Sequence, residues 1–258
     1  MAGETTKGGA ADGPVALVTG AGVGLGKAIA LALAEAGYYA AVADKDTVGL
    51  DDVARDCAAR GPGGHAVPLD VRDEDSIDAC LSQVLGRFGR LDLLVNNAGV
   101  ALHRPAASLT WSEWDTVLDV NLKGVFFMSQ RFGAYLLGRE RAGSIVNIAS
   151  AHGIVALAER SAYGISKAGV IHLTRMLAIE WASRGIRVNA VAPGTVMTPS
   201  RAEALQDPQL LGRMLQRIPT GRFPTAEEVA GAVVYLASPA AASVTGHTLV
   251  LDGGTTVC

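Results

Sequence analysis

Apolar and polar positions along this chain follow two alternating periods. Short runs of consecutive apolar, often β-branched residues recur, and longer stretches with apolar residues at helical spacing separate them. The first run, Val15–Thr19, opens into a cluster of glycines. Ala28, Ile29, Leu31, Ala32, Leu33 and Ala36 then mark a helix ending at Gly37. Further strands are expected over 40–43 (closed by Asp44), 67–69, 91–95, 145–149, 187–191 and 248–251. Helices fall between them: one stopping at the breakers Gly61-Pro62-Gly63-Gly64, one over 73–88, and one over 161–183. Thr110 with Glu113 and Thr225 with Glu228 have capping-box spacing. The first box opens a long helix running through Asn121 towards Leu137.

Such alternation implies an α/β fold, a parallel sheet with helices on both faces. No linker, repeat or low-complexity tract divides the chain, so the expected organisation is a flexible lead-in over 1–13 and a single domain over 14–258. Ligands of such sheets lie beyond the carboxyl ends of the strands.

Composition narrows the function classes. Lys+Arg 22 against Asp+Glu 25 leaves a net charge of -3, no footprint for nucleic acid or an anionic membrane. The longest apolar runs fall well short of the ~18 residues that argue for a membrane span. The lead-in lacks the apolar core of a secretory signal. Cys57, Cys80 and Cys258 show neither CxxC nor Cys/His ligand spacing, so they read as reduced thiols of a cytoplasmic protein, with no metal site. Glycine is the anomaly: 31 of 258 residues, about 12% against a typical ~7%. Without a collagen-like period, those glycines must serve particular backbone positions.

One group has a clear position. Thr19-Gly20-Ala21-Gly22-Val23-Gly24-Leu25-Gly26 joins the first strand to the first helix, where glycines permit a tight turn and close approach of a pyrophosphate to the helix N-terminus. The spacing is T-G-x-x-x-G-x-G rather than GxGxxG, and Lys27 is followed by Ala28, which argues against a P-loop triphosphatase. The same glycines would also suit a plain strand–helix joint. Asp44 favours the phosphate-binding reading, although it would also suit a solvated turn: it ends the second strand near the ~20-residue distance at which an acid accepts from ribose hydroxyls. A carboxylate there repels a 2′-phosphate and favours NAD over NADP, with the neighbouring Lys45 partly offsetting the repulsion.

Tyr163 and Lys167 stand at i and i+4 on one helix face, and Ser150 ends the preceding strand. Five Tyr and five Lys in the whole chain make a chance pair at this spacing uncommon. Such a trio suits hydride chemistry. The Tyr hydroxyl exchanges a proton with a substrate oxygen that the Ser hydroxyl orients, and the Lys ammonium favours the phenolate.

With these motifs the sequence resembles the classical short-chain dehydrogenase/reductase family from about Val15 to Gly254. The likeness includes the glycine turn, Asp70-Val71, Asn96-Asn97-Ala98-Gly99, Asn121, Ser150, Tyr163, Lys167 and Pro193-Gly194-Thr195-Val196-Met197-Thr198. It implies a seven-stranded Rossmann-type sheet and a homotetramer. It casts Tyr163 as acid/base and Ser150 as the carbonyl-orienting residue. Lys167 would bind nicotinamide ribose, and Asn121 would hold a water in a proton relay. Cofactor contacts would come from Gly20, Gly22, Val23, Gly24, Leu25, Gly26, Asp44, Asp70, Val71, Asn97, Ala98, Gly99, Tyr163 and Lys167. Pro193, Gly194, Val196 and Thr198 would lie over the nicotinamide. Asn97 could instead brace the sheet, and Asn121 could be a helix-interior hydrogen bonder.

The resemblance places a substrate loop over about 197–220, carrying Arg201, Glu203, Met214 and Arg217. His152, just beyond Ser150, and His103, just past the asparagine motif, are candidate substrate contacts with Ser150 and Tyr163. The expected activity is NAD(H)-dependent interconversion of a secondary alcohol and a ketone on a small polar molecule. The closing Leu251-Asp252-Gly253-Gly254-Thr255-Thr256-Val257 run resembles those of family members that act on polyols, sugars and sugar acids. The alternatives are an NADPH-dependent 3-oxoacyl-thioester reductase and a non-catalytic NAD-binding scaffold.

Overall fold

Seven strands form one parallel sheet: β1 (Val15–Thr19), β2 (Tyr39–Asp44), β3 (Gly64–Pro68), β4 (Leu93–Asn96), β5 (Gly143–Ile148), β6 (Ile186–Pro193) and β7 (Thr248–Leu251). Their spatial order is β3-β2-β1-β4-β5-β6-β7 in the computed structural model, which describes residues 11–197 and 207–258. The helices are α1 (Gly24–Glu35), α2 (Leu50–Arg60), α3 (Glu74–Phe88), α4 (Trp111–Leu118), α5 (Val125–Gly138), α6 (Ser161–Trp181), α7 (Pro208–Leu215) and α8 (Ala226–Ala237). The doubly wound, Rossmann-type α/β architecture expected from the sequence is therefore present.

Both faces of the sheet are covered, which is why its strands read as unbroken apolar runs rather than alternating ones. Along β1, Ala16 and Val18 belong to a buried layer with Ile29 and Leu33 of α1 and Val233 and Leu236 of α8. Val15 and Leu17 belong to the opposite layer, with Val84 of α3, Phe132 of α5 and Leu177 of α6.

Several boundaries differ from the expected ones for identifiable reasons. Gly64 lies inside β3 although it reads as a breaker, because β3 is an edge strand and has a ladder on one side only. The helix opened by the Thr110 box is continuous in space, but a π-helical turn, Asp119–Gly124, separates α4 from α5. Part of the expected substrate loop is helical: Asp207 accepts from the Gln209 N–H and Pro208 takes the first position of α7. Residues 198–206 lie outside the described ones. Of the lead-in, residues 11–13 are docked rather than loose. The Ala11 N–H donates to the Phe88 carbonyl at 2.8 Å, and the Tyr39 hydroxyl donates to Asp12 at 2.6 Å.

Cys57 and Cys80 are buried, and that burial pushes their thiols up to about 11 and about 12, far from reactivity. Among the described residues no helix is long and apolar enough to cross a membrane, and no His/Cys/Asp/Glu group could hold a metal ion.

A polar thread runs through the core at the carboxyl ends of β4 and β5. Asn96 Nδ2 donates to Ser129 Oγ and to Asn147 Oδ1, both at 2.9 Å. Asn147 Nδ2 donates to Thr174 Oγ1 at 3.0 Å. All four residues are buried, so this chain ties α5, two central strands and α6 in one register. Asn147→Ala leaves the Asn96 amide and the Thr174 hydroxyl short of partners. We expect a loss of about 2–4 kcal/mol in urea unfolding. A loss below about 0.5 kcal/mol, the level of an ordinary surface change, would deny the thread its role.

Candidate functional site

The strand order reverses between β1 and β4, so the connections leaving them depart to opposite faces and leave a crevice. Two side chains hold its floor. Thr19 Oγ1 accepts from the Asn97 and Ala98 N–H groups, each at 3.0 Å. Asn97 Nδ2 donates to the Thr19 carbonyl at 3.0 Å and the Gly20 carbonyl at 2.9 Å. Asn97 therefore shapes the glycine turn through its side chain. At Gly26 a Cβ would overlap the Gly20 carbonyl oxygen, which is why α1 can start so close beneath the turn.

The first turn of α1 has no side-chain cap at Val23 and no acidic residue, so the field of its N–H groups is not neutralised locally. It opens into a cleft of about 1270 Å³ lined by the glycine turn, Asp44, residues 69–72 and residues 97–100. An elongated anionic ligand fits such a cradle. The donor set (helix N–H groups, a strand-end carboxylate and an apolar wall at Leu69 and Val71) suits a dinucleotide. One expected contact is already spent. The Gly22 N–H donates to Asp44 Oδ2 at 2.9 Å, so it is committed to the carboxylate rather than to a phosphate. Asp44 Oδ1 accepts from the Asp46 N–H at 3.2 Å, and the acid is held from two sides.

Asp70 lies further along the same wall. Its carboxylate takes Arg72 in a bidentate pair, Nε at 2.9 Å and a terminal nitrogen at 2.5 Å, and Lys45 Nζ lies 4.0 Å away. The Arg72 guanidinium holds the Asp70 carboxyl well below the usual range, at about 2.

The catalytic candidates converge on the other side of β4. Ser150 follows β5, is buried, and caps a short 3₁₀ turn, Ala151–Gly153, by accepting from the His152 N–H at 3.2 Å. Used as an acceptor there, the hydroxyl keeps its proton for a substrate oxygen. That turn lies directly on α6. A Cβ on Gly153 would stand 2.7 Å from the Lys167 carbonyl carbon, and one on Gly164 would stand 3.0 Å from the His152 carbonyl oxygen. Missing side chains at both points let the Ser150 turn seat against the helix that carries Tyr163.

Lys167 is buried, with Nζ donating to the Ile148 carbonyl at 2.7 Å and lying 5.9 Å from the centre of the Tyr163 ring. Burial pushes its ammonium down to about 8. The Arg160 guanidinium also lies 5.9 Å from that ring centre, and the His152 ring meets the Tyr163 ring edge-on at 6.1 Å. His103 is exposed on the loop past Gly99.

Asn121 sits in the π-helical turn, fully buried. Its Oδ1 accepts from the Val100 N–H at 2.8 Å, while Nδ2 donates to the Val100 carbonyl at 2.9 Å and to Ser166 Oγ at 3.1 Å. Ser166 Oγ in turn donates to the Tyr163 carbonyl at 2.7 Å. The Asn121 side chain is thus a brace between the loop past Gly99 and the Tyr163 helix. A water held at this residue would have to use its backbone carbonyl. Ser166, Thr19 and the Ile148 carbonyl are site-forming groups that sequence reasoning did not single out. Ser166 was the most findable, a small polar residue just before Lys167 on an otherwise apolar helix face.

Pro193 ends β6, Gly194 takes its N–H to the Leu251 carbonyl at 2.8 Å, and Val196 is buried. Thr198, Arg201 and Glu203 fall outside the described residues, while Met214 is in α7 and Arg217 is exposed just beyond it.

The chain is similar to known proteins over most of its length. A family model described as enoyl-(acyl carrier protein) reductase matches residues 20–256. The chain is 43% identical to D-threitol dehydrogenase of Mycolicibacterium smegmatis, over 95% of this chain and 94% of that one. It is 42% identical to 3-oxoacyl-[acyl-carrier-protein] reductase FabG of Staphylococcus aureus, over 93% and 96%. A crystal structure from Agrobacterium tumefaciens, provisionally described as a 2-deoxy-D-gluconate 3-dehydrogenase with bound NADP, superposes with a TM-score of 0.85. It shares 38% identity, over 96% of this chain and 98% of that one.

The buried lysine has a cost that can be measured. Below pH 8 it is charged in both the folded and unfolded states, and the drop from 10.5 to about 8 corresponds to about 3 kcal/mol of lost stability. Between about 8 and 10.5 the unfolded chain holds a proton that the folded one has released, so stability rises with pH across that window. Lys167→Met should therefore raise the ligand-free melting temperature at pH 7, with the advantage shrinking as pH climbs towards 10.5. A variant less stable than wild type at pH 7 would contradict a net cost of desolvation.

Proposed function

As a member of the short-chain dehydrogenase/reductase family, to which this chain belongs, the protein is an oxidoreductase, and we propose that it interconverts a secondary alcohol and a ketone with NAD(H). The favoured substrates are small and polar: polyols, sugars or sugar acids. The observation that carries this reading is the seating of the Ser150 turn on the helix bearing Tyr163 and Lys167, beside a cleft shaped for a dinucleotide. The D-threitol dehydrogenase likeness supports the substrate class, and Asp44 at the end of β2 supports NAD.

Bound in the cleft, the nicotinamide would supply the hydride acceptor or donor. Tyr163 exchanges a proton with the substrate oxygen at its hydroxyl, and Ser150 donates its free O–H to the same oxygen. Lys167, anchored on the Ile148 carbonyl, places a cation beside the Tyr163 ring and keeps donors for a ribose. Asn121 fixes the loop past Gly99 against α6, and its backbone carbonyl is the group to hold a relay water. His152 and His103 are the proposed substrate contacts, with His152 nearer the reacting oxygen because its ring touches Tyr163.

A second reading, reduction of 3-oxoacyl thioesters with NADPH, is favoured by the FabG likeness and by the NADP held in the Agrobacterium structure. Nicotinamide absorbance at saturating NAD or NADP, across polyols, sugars, hydroxy acids and 3-oxoacyl thioesters, separates the two. Turnover confined to thioesters with NADPH would replace the first reading with the second.

Tyr163→Phe is expected to lower turnover about 10²–10⁴-fold while keeping most of the nucleotide-induced thermal stabilisation, which the other cofactor contacts supply. Equal rates in variant and wild type would remove Tyr163 from the proton transfer. Asp44→Ala should raise the use of NADP relative to NAD about tenfold or more, because a repelling charge near the 2′-phosphate is gone. Unchanged ratios of kcat/KM would take Asp44 out of the ribose site.

A further inference from the structure

The adenosine end of the cleft holds more charge than Asp44 alone. Pairing of Asp44 with Pro68 across β2 and β3, and the bond from the Leu69 N–H to the Asp44 carbonyl at 2.9 Å, bring the ends of these strands side by side. Lys45 and Asp70 therefore lie next to each other, and Arg72 folds back onto Asp70. Lys45 and Arg72 line the same cleft as Asp44, and both cations point their charge at the Asp70 carboxylate.

We infer that Asp70 is a second cofactor-selectivity residue, one that works by withholding Arg72 from a 2′-phosphate. This rests on the reading of the cleft as a dinucleotide site. Asp44 acts directly, by placing a carboxylate where the phosphate would lie. Asp70 acts on the compensation. The bidentate grip spends two of the five Arg72 donors, fixes the plane of its guanidinium, and neutralises its charge locally. An Arg held that way offers little to a second anion, whereas a free one binds phosphate readily. It follows that removing Asp44 alone takes away one repelling carboxylate but leaves the Arg72 guanidinium committed to Asp70.

Binding of two fragments tests this without any turnover: 5′-AMP and 2′,5′-ADP, measured by calorimetry on the whole chain in its wild-type, Asp70→Asn and Asp70→Asn/Arg72→Gln forms. Any loss of adenine contact in Asp70→Asn weakens both fragments alike, so the ratio of their affinities isolates the 2′-phosphate. Wild type should prefer 5′-AMP. Asp70→Asn should move the ratio towards 2′,5′-ADP by about fivefold, the scale of an exposed ion pair, and added salt should erase the gain. In the double variant the ratio should fall back towards the wild-type value. An unchanged ratio in Asp70→Asn overturns the inference. So does a shift that survives in Asp70→Asn/Arg72→Gln, since that shift would come from lost repulsion and not from a released guanidinium. If wild type binds neither fragment, the dinucleotide reading of the cleft fails first and takes this inference with it.

Discussion

The reversal of strand order between β1 and β4 is the constraint on which the site depends. Two parallel neighbours whose connections leave towards opposite faces cannot close over their own carboxyl ends, so a crevice is unavoidable there. What keeps the crevice from collapsing or splaying is a small set of hydrogen bonds. Thr19 Oγ1 and the Asn97 amide cross-link the loops that leave the two strands, satisfying backbone groups that no ladder reaches. With these loops pinned, α1 begins directly beneath the turn, and its uncapped N–H groups face the space where a phosphate would lie.

The second half of the site is held by contact rather than by topology. The Ser150 turn meets α6 where Gly153 and Gly164 have no side chains. The buried Asn96, Asn147, Ser129 and Thr174 thread sets the register of α6 against the sheet, and Asn121 with Ser166 sets it against the loop past Gly99. Within that frame Lys167 is a cation withdrawn from water with one carbonyl for company. Such an arrangement lowers stability and is what a functional position looks like when local energetics are poor and the surrounding structure over-determines it.

Much of this was legible in the order of residues. The strands buried on both faces announced themselves as apolar runs, and both capping boxes form as their spacing requires. Tyr163 and Lys167 share a helix face because i and i+4 must. The misreadings have physical causes too. Gly64 looks like a breaker, yet an edge strand tolerates it. The π-helical turn at Asn121 has no signal in apolar spacing, since one extra residue per turn is absorbed by neighbours that are themselves apolar. The Asp207-Pro208 start of α7 was readable as a cap and an N1 proline, and the loop assignment hid it.

The sequence by itself determined the alternation of elements, the glycine turn, the acid at the end of β2 and the helical Tyr–Lys pair, because each is a local pattern of spacing and residue type. Only the tertiary structure decided which donors and acceptors are already spent. The Gly22 N–H belongs to Asp44, the Asn97 and Asn121 side chains are braces, and Asp70 holds Arg72 and lies near Lys45. Hydrogen-bond partners far apart in sequence are set by how strands and helices pack. No local pattern reports whether a polar group that reaches a site arrives there free or already bound.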